Sequence, residues 1–423
     1  MGHHHHVEVK EEEIMIPRDH ILTKVPYICF AVGILGLVLS YSIKEDNTSF
    51  GASYITAYMF WLSLGLGGLI FTLIHHATRA GWSTVVRRIA ENFMMALPML
   101  GLLAIPIVLV AHDVFEWTHT DVVAKDAMLT QKAPYLNEGF FRIRVVCYLV
   151  LWSGFAIYLW RNSIKQDTDG SDEHSHKSRF ISPLGILVFA VSSTMAAMDY
   201  MMSLDPHWFS TIFGVYYFAG TFMSIFAAIA LVVLMLQSMG FLKSLVTAEH
   251  YQDLGKYVFA FMVFWTYIAF SQYMLIWYAN IPEETYWFAY RWETGWQTLC
   301  YVLIFGHFAI PFLYLMSRHV KRHRTGLLAG VILMLTMHYA DMYFLVQPSI
   351  DFIHTSTAVV NAGGNYADVH SNMHGMHFSL LDVTTFFGIG GLTLGVFFYF
   401  TQAYPLVPKN DPRLQESITH ENY

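Results

Sequence analysis

Long apolar blocks alternate with short polar stretches along this chain, and ten of the blocks are long enough to cross a bilayer. A hydrocarbon core of about 30 Å takes roughly 20 helical residues. On that scale the spans fall at about 26–43, 53–76, 93–112, 143–160, 182–204, 210–237, 256–279, 296–316, 326–347 and 379–401. Pro98 and Pro106 interrupt the third, which membrane helices tolerate where neighbours satisfy the freed carbonyls. The pattern predicts an all-α, polytopic membrane protein of ten transmembrane helices. A 1–25 N-terminal segment precedes the 26–401 membrane domain, and a 402–423 tail with Pro405, Pro408 and Pro412 follows it. The one linker-like stretch is 161–180, polar and expected to be mobile.

Two aspartates interrupt the apolar pattern in the same way. Asp199 stands seven residues before Pro206 (DYMMSLDP), and Asp341 seven before Pro348 (DMYFLVQP). A charge inside a span costs about 2.5–3.5 kcal/mol on insertion scales, so it is usually kept for a function. The repetition points to two four-helix bundles, about 53–204 and 210–347, with helices 26–43 and 379–401 flanking them. Cys147-Tyr148-Leu149 in span four is echoed by Cys300-Tyr301-Val302 in span eight. Four is an even number, so both units keep one orientation, related by an axis along the membrane normal.

Composition agrees with the pattern. Of 423 residues, 55% are hydrophobic and only 13% charged, against about 25% charged in soluble proteins. Eighteen of the 24 Lys and Arg lie in the N-terminus, the even-numbered loops and the C-terminus. That bias predicts cytoplasmic termini, with 113–142, 280–295 and 348–378 facing outward, into the periplasm of a bacterium. No signal peptide precedes the first span, and the opening MGHHHH resembles an expression tag. Cys29, Cys147 and Cys300 are scattered and no CxxC occurs, which argues against iron–sulfur, zinc or c-type haem sites. Nothing suggests a nucleic-acid partner; the expected surroundings are lipid and other subunits.

Candidate chemistry sits on the few polar residues inside spans. Asp199 and Asp341 lie about 10 Å inside their prolines, in the outer half of the membrane. His338 precedes Asp341 by three residues and shares its helix face. A carboxylate beside an imidazole suits proton transfer, since both can change charge in a buried site; the alternative is an interhelical hydrogen bond that only fixes packing. His307 lies mid-span, and Pro311 removes the N–H that would bond its carbonyl. His112, Asp113 and Glu116 close span three on the outer side, as a proton exit, a quinone-head contact or a solvated helix end. On the inner side His75, His76, Arg79 and Glu91 read as proton uptake or as interfacial polar residues. The spacing of His370, His374 and His377, with His354 nearby, could place the last three on one helix face. A docking surface is the stronger reading there, and no metal site is assigned. No span carries the histidine pair that a bis-histidine haem needs.

Two segments carry a family resemblance. FSQYMLIWYANIPEETYWF (270–288), with polar Gln272 in an apolar run, and HGMHFSLLDVTTFFGIGG (374–391) are similar to ActF-type membrane subunits of bacterial alternative complex III. That complex is a quinol:cytochrome c oxidoreductase, and the subunits belong to the NrfD/polysulfide-reductase-like group. With the ten-span layout the resemblance covers nearly the whole chain. It implies two four-helix bundles, and haems and iron–sulfur clusters carried by partner subunits. A homologous NrfD-like sister subunit is implied among those partners. It also implies a proton path or a site for menaquinone or another quinone, bound without a covalent link. The expected proton path is Asp199, His307, His338 and Asp341, with Asp113 and Glu116 near the outer exit. The expected quinone contacts are His112, Asp113 and Gln272. A secondary transporter with parallel repeats, or a structural anchor without protonic role, are the competing functions.

Overall fold

Backbone groups in hydrocarbon must find their hydrogen bonds within the chain, so each apolar block closes its own helix. The computed structural model describes residues 9–361 and 366–422; the tag-like MGHHHH lies outside them. Among the described residues no strand occurs, and ten helices are long and apolar enough to span a membrane. Spans one to ten are Ile21–Ile43, Asn47–Thr78, Thr84–Leu109, Glu138–Asp169, Glu173–Leu204, Phe213–Ser238, Ala248–Ala279, Gln297–Met316, Arg324–Val359 and Leu380–Ala403. The protein is an all-α, multi-pass membrane protein. Span three is built from three short pieces, with Pro98 and Pro106 in the first turns of the second and third. A missing N–H there costs nothing.

Spans two to five pack against one another, as do six to nine. Spans two and six are the most enclosed helices and touch at the centre. Span one lies along span ten. Gly33 and Gly36 face Gly388 and Gly391 so closely that a Cβ on Gly391 would sit 2.5 Å from the Gly33 nitrogen. Small residues let backbones approach in this way. The Cys–Tyr echo does not extend to environment: Tyr148 is buried and Cys147 exposed, whereas Cys300 is buried and Tyr301 exposed.

Three expectations need correction. Residues 161–180 are not a linker. Span four continues to Asp169, turns at Gly170 (φ 67°), and span five begins at Glu173. Asn162, Ser163, Gln166 and Asp167 are polar yet buried. Ser163 and Asp167 meet Arg88 of span three, and Asn162 and Gln166 meet Ser178 and Ser175 of span five, so polarity there reflects helix contact and not solvent. Residues 348–378 are not simply an outer loop either, because Pro348 lies inside a helix that runs Arg324–Asn361. Its missing N–H frees the Phe344 carbonyl, and the Arg291 Nε donates to that oxygen at 3.3 Å. The histidine-rich stretch does not form one helix face, since the helix ends at Asn372, before His374 and His377.

Both termini meet on one face, where the Leu406 N–H donates to the Ile14 carbonyl. The tail is tied down further. Asp411 pairs with Arg87 at 2.6 Å, and the Ser417 hydroxyl donates to the Trp82 carbonyl. Arg87 and Arg88 share buried Glu91 at 3.0 and 2.9 Å, and Arg88 also reaches Asp167 at 2.8 Å.

Gly391→Val should overpack the contact between spans one and ten and lower stability by about 1–3 kcal/mol. Thermal unfolding in detergent measures this, with Gly154→Val as the control, because nothing lies within 4 Å of a Cβ at Gly154.

Candidate functional site

Span nine places His338 and Asp341 one turn apart, and span eight brings His307 against them. All three are fully buried, and their donor atoms lie within 4.8 Å of one another. His307 gets there through a local π-helix, Leu303–Ala309, ahead of Pro311. A wider turn absorbs the bond that the proline cannot make. Its imidazole stacks on the Trp265 indole at 3.7 Å. Gly220 of span six makes room for His338, since a Cβ there would lie 2.8 Å from its Cε1.

The hydrogen bonds around the cluster are uneven. The Tyr216 hydroxyl donates to Asp341 Oδ1 at 2.5 Å, and the Trp265 indole N–H donates to Oδ2 at 3.0 Å. No ion pair reaches Asp341 among the described residues. His338 Nε2 meets the Ser63 hydroxyl at 2.9 Å. Both ring nitrogens of His307 and Nδ1 of His338 are buried without a hydrogen-bond partner. Two histidines and a carboxylate can also ligate a metal. Here both carboxylate oxygens already accept protein donors, so the arrangement suits proton exchange better than ligation.

Tyr216 and Trp265 also form one wall of an apolar cavity of about 640 Å³. Gln272, Tyr273, Phe288, Trp292 and Leu303 line the rest, and Phe270 and Ile304 expose their side chains on the lipid-facing side. Thr266 also lines it, and Gln272 brings an amide to this wall. Its Oε1 accepts from the Ser210 hydroxyl at 3.0 Å. The cavity is of the size that encloses a small organic ligand. The cluster and the cavity therefore share two side chains.

Asp199 is equally buried but differently held. The Arg144 guanidinium grips it at 2.8 and 3.0 Å, and the Tyr148 and Tyr135 hydroxyls donate to it at 2.6 and 3.0 Å. This is a closed ionic site, with every carboxylate oxygen committed.

The outer residues do not join the cluster. Asp113 is exposed and accepts from the Asn47 amide. His112 is also exposed, beside His119 and Thr118. Glu116 turns instead toward His207, which bonds Asp126 at 2.7 Å and stands 3.9 Å from Glu116. Burial pushes the Glu116 carboxyl above its ordinary range, while the His207 hydrogen bond pulls Asp126 below it. Asp205, just beyond span five, accepts from the Tyr286 hydroxyl at 2.6 Å, and desolvation pushes its carboxyl up.

Arg144, Tyr216 and Trp265 are the residues that sequence reasoning missed. Arg144 sits near the start of span four and reads as a loop charge. Tyr216 and Trp265 are aromatic residues in aromatic-rich spans. The only sequence signal for Arg144 is a cation at the same outer level as Asp199.

Arg144→Met should destabilise by about 3–5 kcal/mol, because it strands Asp199 as an unpaired buried charge. Adding Asp199→Leu should restore much of the loss, as read by thermal unfolding of the single and double variants. Asp205 gives a pH signature. Its raised carboxyl contributes stability that is present below the ordinary carboxylate range and lost as pH rises through the folded value. Asp205→Asn should flatten that part of the stability profile, above the ordinary carboxylate value of about pH 4. No family model matches the chain, and no curated protein matches it, so the chemistry of the site rests on its own residues.

Proposed function

We propose that this chain is an integral membrane subunit of a bacterial respiratory quinol:electron-acceptor oxidoreductase of the alternative complex III type. Its setting is the inner membrane, with both termini cytoplasmic, as the bias in lysine and arginine favours. The observation that carries the reading is Asp341. It is a fully buried carboxylate without an ion pair among the described residues, packed with two histidines and joined by Tyr216 and Trp265 to an apolar cavity at the lipid face. A quinol head entering that cavity would meet Gln272 and the two aromatic donors.

Quinol oxidation sends electrons to an acceptor and releases protons. In this reading the electrons pass to haem and iron–sulfur centres on partner subunits, a homologous NrfD-like sister subunit being among the partners. Tyr216 holds its hydroxyl proton against Asp341, so the carboxylate can take up a proton passed through that hydroxyl. His307, both of whose ring nitrogens lack a protein partner among the described residues, and His338, whose Nδ1 also lacks one, are the next acceptors. Glu116 and Asp205 stand at the outer end, where burial favours their protonated forms. The Asp199–Arg144 pair supports a different role for the first bundle, a structural lock, since a carboxylate gripped by a guanidinium is a poor proton carrier.

Asp341→Asn in the assembled complex tests the reading. Quinol:cytochrome c turnover and the coupled proton release should both fall by about 10²-fold or more. Wild-type values of both would remove Asp341 from the path. Gln272→Leu should raise the quinol KM with a smaller change in kcat, which separates the cavity from the proton cluster.

A further inference from the structure

A second cavity, of about 220 Å³, opens on the face that carries both termini, where spans two and five meet the tail. The proton cluster and the quinone reading do not involve it. Its lining is unusually basic. Span two contributes His76 and Arg79, span five contributes His176 and Arg179, and the tail contributes Arg413. Arg87 also faces it, and two acids temper the charge. One of them, Asp411, is already committed, since it pairs with Arg87 at 2.6 Å and accepts the Arg413 N–H at 2.8 Å. Asp172 is the other.

What remains is positive charge that the chain does not neutralise. Arg79 and Arg179 are exposed, and among the described residues neither side chain forms a hydrogen bond or an ion pair. Arg79 ends span two in the left-handed region (φ 54°), and its N–H donates to the His75 and His76 carbonyls, closing the helix. That cap fixes the side chain's root at the cavity rim. His76 is 8% exposed, and its Nε2 is buried with no protein partner. Guanidinium forks and an imidazole converging on one small polar space match the oxygens of a phosphate group.

The surroundings say where such a phosphate comes from. Immediately beyond Arg179, span five presents Phe180, Leu184, Leu187 and Val191 outward, Phe180 being 87% exposed. Their spacing of four, three and four residues makes one apolar stripe running into the membrane. A headgroup seated against Arg79 and Arg179 would lay its acyl chains on that stripe. Basic pockets at the ends of transmembrane helices bind lipid phosphates in this manner.

We propose that this cavity binds a phosphate group and that the group belongs to an anionic phospholipid. The site would tie spans two and five to the tail through a lipid. The test uses the purified full-length protein, stripped of lipid in detergent and followed by thermal unfolding. Titrated phosphatidylglycerol should raise the unfolding temperature, while phosphatidylcholine and inorganic phosphate should not. Arg79→Gln/Arg179→Gln should need about 30-fold more phosphatidylglycerol for the same rise, the two surface charges at about 1 kcal/mol each coming to about 2 kcal/mol. Arg161→Gln, another exposed cation near the same face, should respond like the wild type. If the double variant does not fold, Arg179→Gln alone carries the comparison. Equal protection by inorganic phosphate would overturn the lipid assignment and leave a soluble anion as occupant. A lipid response that Arg79→Gln/Arg179→Gln leaves unchanged, or none in the wild type, would overturn the site.

Discussion

A polar group buried among these helices has no bulk water to turn to, so its partner must come from the chain. Most of the architecture follows from how that demand is met. Arg144 and two tyrosines close around Asp199. Glu91 joins two arginines, and those arginines draw in Asp167 and Asp411 from span four and the tail. Arg291 supplies the donor that Pro348 withholds. Each case fastens helices that hydrophobic matching alone would leave free to slide, because lipid tails are as apolar as leucine.

Asp341 breaks this rule in one respect. It has donors but no cation, and the histidines beside it keep nitrogens without partners. Structural buried charges are normally compensated because leaving one alone costs several kcal/mol. The two bundles thus treat Asp199 and Asp341 in opposite ways. One is locked, and the other is held by neutral groups that can follow a change in its protonation.

Much of the fold was legible in the sequence because hydropathy over 20 residues is a strong, local signal. Helix ends were not. Residues 161–169 are mostly polar, and a hydropathy reading sends them to solvent, yet they complete span four, with Ser163 and Asp167 buried against Arg88. Pro348 looked like a stop, because nothing nearby announces that Arg291, far back in the chain, will satisfy the carbonyl it frees. The same divide runs through the site. His338 and Asp341 could be paired from a spacing of three. His307 could be flagged only as an odd polar residue, since its approach depends on the π-helical turn before Pro311 and on stacking against Trp265. His112 and Asp113 were grouped with Glu116 by proximity in sequence, but short turns after span three aim them at different neighbours.

The glycine seam between spans one and ten bears on how the molecule is made. Among these ten spans, span one is synthesised before its close-packed partner by the length of the eight spans between them. Until span ten emerges, Gly33 and Gly36 can face only lipid, which gives a bare backbone groove little to hold. The first helix therefore waits in the bilayer while eight others insert and fold behind it, and the arrival of the tenth both caps the second span and retrieves the first. The arrival of span ten, and not of the spans that follow span one directly, sets the moment at which this seam closes.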